Sequence, residues 1–349
     1  MTASQTLRTP QALEAAGLIP ASRLDALDRV AERYALAITP AMAELIDPAN
    51  PADSIAAQFL PSEAELTAAP GELADPIGDD IHSPVEGLIH RYPDRVLLKL
   101  THSCAVYCRF CFRREAVGPE GLGNMSPAAL AAAFAYIAAR PAIWEVILSG
   151  GDPLILSPRR LRAVMRSLAE IDHVKVVRLH TRVPVVDPAT VTDDLVAALK
   201  CPDKAVYVAL HANHPREMTP RARAACARLV DAGLPMLGQT VLLAGVNDDP
   251  EVLGALFRAM VETRIKPYYL HHADLAPGTG HFRTSIDQGQ ALMRALRGSL
   301  SGLCQPTYVI DVPGGHGKVP IGPNYVTGCE RAGLFIEDPQ GVARDYPGA

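Results

Sequence analysis

The chain has 349 residues, a formal net charge of −5, 48% apolar residues and 20% charged ones. That is enough apolar material for a sizeable core, and the mild acidity offers no basic face for a nucleic acid. There is no run of about 18 apolar residues to span a membrane, and MTASQTLRTPQALEAAG lacks the basic-then-apolar pattern of a secretory leader, so a cytoplasmic protein is expected.

Residues 1–90 form the first expected unit. Helical patterns occur near Pro10–Gly17 and Ala21–Leu36. The stretch DPANPADSIAAQFLPSEAELTAAPGELADPIGDD follows, and its prolines exclude long helices and strands. The reading is a helical extension and then an acidic wrap, which either lies against the main domain or moves partly free of it.

From Arg91 the pattern changes to short β-branched runs alternating with helical stretches. The runs are Arg95–Thr101, Trp144–Gly150, Val174–Thr181, Ala205–His211, Leu234–Leu243 and Ile265–His271, and the run TYVIDV comes last. Helices are expected at SPAALAAAFAYIAAR, with Ser126 as N-cap, and at Ser157–Glu170, Thr192–Leu199, Pro220–Ala232, Pro250–Glu262 and Ile286–Leu300. This is a βα repeat of about six units, an α/β fold with a parallel sheet and right-handed crossovers. Six units suggest a partial (β/α)6 barrel over residues 91–328, with 329–349 as a short tail. Polar groups end several strands: Thr101–Ser103, Ser149–Asp152, His180–Arg182, His211, Gln239 and His271–Asp274. In parallel βα folds that edge carries the active site.

Directly after the first barrel strand comes Thr101-His-Ser-Cys104-Ala-Val-Tyr-Cys108-Arg-Phe-Cys111, with C-x3-C-x2-C spacing. The chain has seven cysteines and only these three cluster, which suits soft-metal ligation rather than a disulfide scaffold. Three thiolates can hold three irons of a cubane and leave the fourth iron open. A zinc site would need a fourth ligand nearby; Cys201 is remote, but a zinc-stabilised, non-enzymatic barrel stays an alternative. The run Asp311-Val-Pro-Gly-Gly-His-Gly-Lys318 ends a glycine-rich loop on a lysine. It is not a phosphate-binding P-loop, since Val312 and Val319 stand at required positions. A lysine there suits a Schiff base with pyridoxal phosphate (PLP).

The cysteine loop at the end of a first βα strand resembles the radical S-adenosylmethionine (SAM) superfamily. Ser149-Gly150-Gly151-Asp152-Pro153 matches that superfamily's Gly-Gly-Glu-like turn, with Asp152 for the usual Glu. Over roughly residues 80 to 328 the chain is similar to the lysine 2,3-aminomutase family. His90-Arg-Tyr-Pro-Asp-Arg95, the cysteine loop, Ser149–Asp152, Gly238–Leu243, Asp274-Leu, His281-Phe-Arg-Thr284 and Asp311–Lys318 fall in family order.

The resemblance implies a 4Fe–4S cluster on Cys104, Cys108 and Cys111, SAM, and PLP on Lys318. It implies Arg113 on the substrate carboxylate and Asp274 with Asp311 on the side-chain ammonium. It places Gly150, Gly151, Asp152, Arg182, His211 and Gln239 around SAM, and Arg91 and Arg95 at the PLP phosphate. Two aspartates offset a buried ammonium and repel an acidic side chain; the family's glutamate-acting relatives replace them.

The implied reaction moves the amino group of L-lysine from C2 to C3, giving β-lysine, through a radical made by reductive cleavage of SAM. Its implied partners are L-lysine and an electron donor such as flavodoxin or ferredoxin; no nucleic acid or membrane is expected, and a homo-oligomer stays open. Clostridial-type aminomutases continue into a Cys-rich zinc tail that is not expected here. The Cys-Arg-Phe-Cys-Phe-Arg-Arg-Glu run is closer to the short branch serving elongation factor P, although the enterobacterial form of that branch lacks an aspartate at the position of Asp311. Another cationic amino acid as substrate is the alternative within the class.

Overall fold

The computed structural model describes residues 5–118, 123–329 and 333–346. Residues 1–4 of the expected extension, and 330–332 and 347–349 of the expected tail, lie outside the described residues.

Short helices α1 (Pro10–Ala15), α2 (Leu24–Arg33), α3 (Pro40–Ala43) and α4 (Ser54–Phe59) come first. Strands β1 (Leu88–Tyr92) and β2 (Arg95–Thr101) form an antiparallel pair, then α5 (Pro127–Ala138), β3 (Glu145–Gly150), α6 (Pro158–Ala169) and β4 (Val176–Thr181) follow. Next are α7 (Val183–Val186), α8 (Asp193–Ala198), β5 (Ala205–His211), α9 (Pro220–Asp231), β6 (Met236–Leu242), α10 (Pro250–Glu262), β7 (Ile265–His272), α11 (Ile286–Ser299), β8 (Thr307–Val312) and β9 (Gly317–Pro320).

The helices start where local chemistry says they should. Ser126, Ser157, Thr192, Thr219, Asp249 and Ser285 each accept a hydrogen bond from an amide of the first turn of the helix that follows. Proline follows the cap of α5, α6, α9 and α10, where its missing N–H costs nothing.

One nine-stranded sheet runs in the order β1 to β9. Strands β2 to β8 are parallel, and β1 and β9 flank them antiparallel. The expected radical SAM partial barrel is present: six parallel strands each lead into helix, and β8 adds a seventh parallel strand. The glycine-rich run 311–318 is a hairpin rather than an open loop. Asp311 lies directly across from Lys318 in the β8–β9 register, and Gly314 and Gly315 take left-handed φ of 83° and 85° in its turn. A separate sheet of β10 (Val326–Cys329), β11 (Gly333–Glu337) and β12 (Ala343–Asp345) follows. Among the described residues no helix is long and apolar enough to cross a membrane.

Residues before β1 pack onto the barrel. Leu13, Leu27, Ile38, Ile55 and Phe59 are buried in the same apolar core as the strands. The acidic stretch carries its charge inward: Glu65 is fully buried and pairs with both Arg109 and Arg114 of the cysteine loop. Burial opposes its charge, but the two guanidiniums hold Glu65 below the usual carboxylate range. Removing one partner of such a buried set strands the others. Glu65→Ala should cost about 3–5 kcal/mol of stability, read as a lowered denaturation midpoint of the full chain.

Candidate active site

A cavity of about 650 Å³ fills the barrel. The cysteine loop lines one end and Arg95, Glu145 and Arg178 line the other. Cys104, Cys108, Cys111, Gly150, Gly151, Asp152, Arg182, His211, Gln239, Arg91, Arg95, Arg113, Asp274, Asp311 and Lys318 all border this one space.

The cysteine loop leaves the end of β2 and folds back as turns, with the Cys111 amide donating to the Cys108 carbonyl at 3.1 Å. Burial pushes the Cys104 thiol well above its ordinary pKa, with Asp152 and the other two cysteines adding to it. Burial, then Cys108, pushes Cys111 to about 11. Buried thiols that oppose one another's ionisation call for a cationic centre, which reverses that balance. Among the described residues no three His, Cys, Asp or Glu side chains are grouped to hold one metal ion. Three thiols on one loop, each with its own iron, fit a cluster better than a single zinc.

Gly150 and Gly151 make room for protein backbone. A Cβ on Gly150 would lie 2.3 Å from the Thr101 carbonyl oxygen, and one on Gly151 2.0 Å from that of Ser103. The Gly151 and Asp152 amides donate to those same carbonyls at 2.6 and 2.9 Å. The Asp152 carboxylate accepts from Thr181 Oγ1 and the Arg182 amide at 2.7 Å each and from the Leu154 amide at 3.0 Å. The turn therefore ties the end of β3 to the cysteine loop and to the end of β4.

His211 and Gln239 are neighbours across β5 and β6. Burial, then the Arg182 charge, lowers His211 to about 3, so its ring is neutral, and its Nε2 meets Asn213 Oδ1 at 3.1 Å. His180 Nε2 is buried and has no hydrogen-bond partner among the described residues.

At the other wall, Lys318 Nζ forms an ion pair with Asp311 and lies 3.1 Å from His271 Nδ1. Burial holds His271 well below its ordinary pKa and the Lys318 charge adds to this, so it is neutral and can accept from the amine. The Lys318 amide donates to Tyr92 Oη at 2.7 Å, fixing β9 against β1. Burial first, then Asp311, raises Asp274 to about 7, against the lowering pull of Lys318 and Arg113. Arg113 Nε donates to Asp79 Oδ2 at 2.8 Å, which leaves its two terminal nitrogens. Arg91 donates to the Ile77 carbonyl at 2.6 Å and to Asp79 Oδ1 at 3.2 Å, and lies 4.0 Å from Asp311. Arg95 pairs with Asp94 at 2.6 Å and stacks 3.8 Å over Tyr92.

Asp79, His271, Tyr92 and His180 were not given roles by sequence reasoning. His180 and His271 carried a signal, as polar strand ends. Asp79 carried none, because it sits in the acidic, Pro-rich stretch whose composition does not say which residues turn inward.

Comparison with known proteins places the chain in a family. A model of the radical SAM superfamily matches residues 98–255, and a lysine-2,3-aminomutase model matches residues 293–348. L-lysine 2,3-aminomutase of Acetoanaerobium sticklandii is 42% identical over 322 residues, covering 92% of this chain and 77% of that one. The chain belongs to the lysine 2,3-aminomutase family. L-lysine 2,3-aminomutase of Clostridium subterminale is 43% identical, with 89% of this chain and 74% of that one covered. Glutamate 2,3-aminomutase of Clostridioides difficile is 38% identical, with 86% and 70% covered. The family thus includes proteins named for a cationic and for an acidic substrate.

Proposed function

We propose that this enzyme converts L-lysine to β-lysine in the cytoplasm, using a 4Fe–4S cluster, SAM and PLP, with a low-potential electron donor such as flavodoxin or ferredoxin. One observation carries the choice of substrate. The Lys318 ammonium is paired with Asp311 and close enough to Asp274 to lower its pKa, so this wall already accommodates a lysyl ammonium. When Lys318 is engaged with PLP, the side chain of a substrate lysine takes that place.

Cys104, Cys108 and Cys111 would hold the cluster and Lys318 would hold PLP. Bound there, the cluster and SAM supply a hydrogen-abstracting radical, and PLP supplies the group that stabilises amino migration. The protein's own groups do the rest. Arg113, clamped at Nε by Asp79, presents its free nitrogens to the α-carboxylate, a planar fork matched to a planar anion. Asp274 and Asp311 hold the side-chain ammonium at the opposite end. Neutral His271 accepts a hydrogen bond from the Lys318 amine at Nδ1 and so orients it. The enclosed barrel excludes water and oxidants from the reacting atoms.

The deciding experiment is anaerobic reconstitution, then product analysis with lysine, arginine, ornithine and glutamate in turn. β-Lysine as the main product supports the reading. A cluster with SAM cleavage but another product moves it to a different substrate, and zinc without iron removes it.

The pH dependence follows from the wall. Burial, then Asp311, raises Asp274 to about 7 with Lys318 present as an ammonium, and engaging Lys318 with PLP removes one lowering pull and moves it further up. The ionised form binds an ammonium and the protonated form does not, so affinity is full above this value and falls as pH drops through it. In kcat/KM for lysine an acid limb is expected at or above pH 7, falling about tenfold per pH unit. Asp274→Asn should lose that limb and run at a uniformly low kcat/KM.

A further inference from the structure

Arg182 follows the last residue of β4 and its side chain is 5% exposed. Its guanidinium makes three contacts at once. One nitrogen donates to Cys108 Sγ at 2.8 Å, and the other donates to Glu217 Oε2 at 2.8 Å and to Gln58 Oε1. The rings of Phe59 and Phe110 lie 4.6 and 5.5 Å from the guanidinium carbon. Glu217 is fully buried, and its second oxygen is occupied by the Asn213 and His214 amides at 2.9 and 3.0 Å. Gln58 is also fully buried and comes from α4, outside the barrel. Its own carbonyl accepts from the Arg109 amide of the cysteine loop at 2.9 Å.

A full positive charge is thus held against one cysteine sulfur by a guanidinium that is itself buried. Arg suits this position because its rigid fork serves three acceptors in set directions.

We infer that Arg182 is a positioning residue for electron entry: it raises the reduction potential of the cluster through Cys108, while Glu217 and Gln58 share its charge and set the size of the effect. This rests on the reading of Cys108 as a cluster ligand. The step is a one-electron reduction by a low-potential donor, with no bond made or broken. The reduced cluster carries one more negative charge, so a hydrogen bond and a cation at its sulfur stabilise that state more than the oxidised one. Burial of the guanidinium limits how far the effect is screened. The N-terminal extension, through Gln58, is then part of the redox site.

The test is an EPR-monitored redox titration of the reconstituted full chain, without SAM or lysine. Arg182→Gln keeps a donor but removes the charge; the equilibrium constant for reduction should fall at least about tenfold, roughly 59 mV for one electron. Glu217→Gln removes the competing anion and should shift the constant the other way, by roughly threefold or more. Arg182→Lys, which keeps the charge, should lie closer to the parent than Arg182→Gln does. A purely structural role would not give opposite signs. The inference falls if Arg182→Gln leaves the potential in place, or if both Gln variants move it in one direction. Should Arg182→Gln fail to take up a cluster, Glu217→Gln decides alone, and an unchanged or lowered potential overturns the idea. A parent chain that takes up no cluster removes the functional reading instead.

Discussion

Lys318→Ala should purify without the absorbance of protein-bound PLP and should lose aminomutase activity by roughly a thousandfold or more, the scale seen when a member of a covalent catalytic unit is removed. The prediction follows from position. Lys318 is the amine facing the cavity from β9, and its backbone is pinned by Tyr92. Its neighbours suit an amine that must change partners: Asp311 stabilises the ammonium, and neutral His271 can accept a hydrogen bond from it. The cysteine loop stands apart from this hairpin, so the variant should still take up iron and show an unaltered cluster spectrum. Retained PLP absorbance after gel filtration would place the cofactor on another lysine and undo the assignment.

Asp311→Ala should weaken lysine binding by about 2–5 kcal/mol, the cost of truncating one member of a buried charge pair, or about thirtyfold to several thousandfold. The loss arises because Asp274 alone does not offset the desolvation of a buried ammonium, and at neutral pH Asp274 is itself partly protonated. SAM cleavage by reduced enzyme should continue, uncoupled from β-lysine formation. Isothermal titration of the PLP-loaded chain with lysine separates these effects. An unchanged affinity would move the ammonium site away from β8.

The βα repeat was legible because each unit is announced locally. A β-branched run is followed by Ser, Thr or Asp and then, in α5, α6, α9 and α10, by proline, and those caps are made in the structure. The cysteine loop was legible for the same reason, since its ligands lie within eight consecutive residues. The glycines of Ser149–Asp152 were noticed, but what they admit was not. Nothing in a Gly-Gly pair says whether a ligand or the carbonyls of Thr101 and Ser103 will come close. Arg182 likewise carried no mark to show that it would turn to Cys108 and Glu217.

Sequence alone determined the βα repeat and the thiol trio, because these depend on periodicity, caps and residue type over short stretches; roles for Lys318, Asp274 and Asp311 came only with the family resemblance. Tertiary structure alone decided which charges meet. Gln58, Glu65 and Asp79 reach Arg182, Arg109 and Arg113 from the acidic, Pro-rich segment, which was expected either to lie against the main domain or to move partly free of it. The physical reason is that a pairing over such separations is set by how the extension packs on the barrel. A carboxylate is costly to bury unless its partner is already there, and no local pattern records where that partner is.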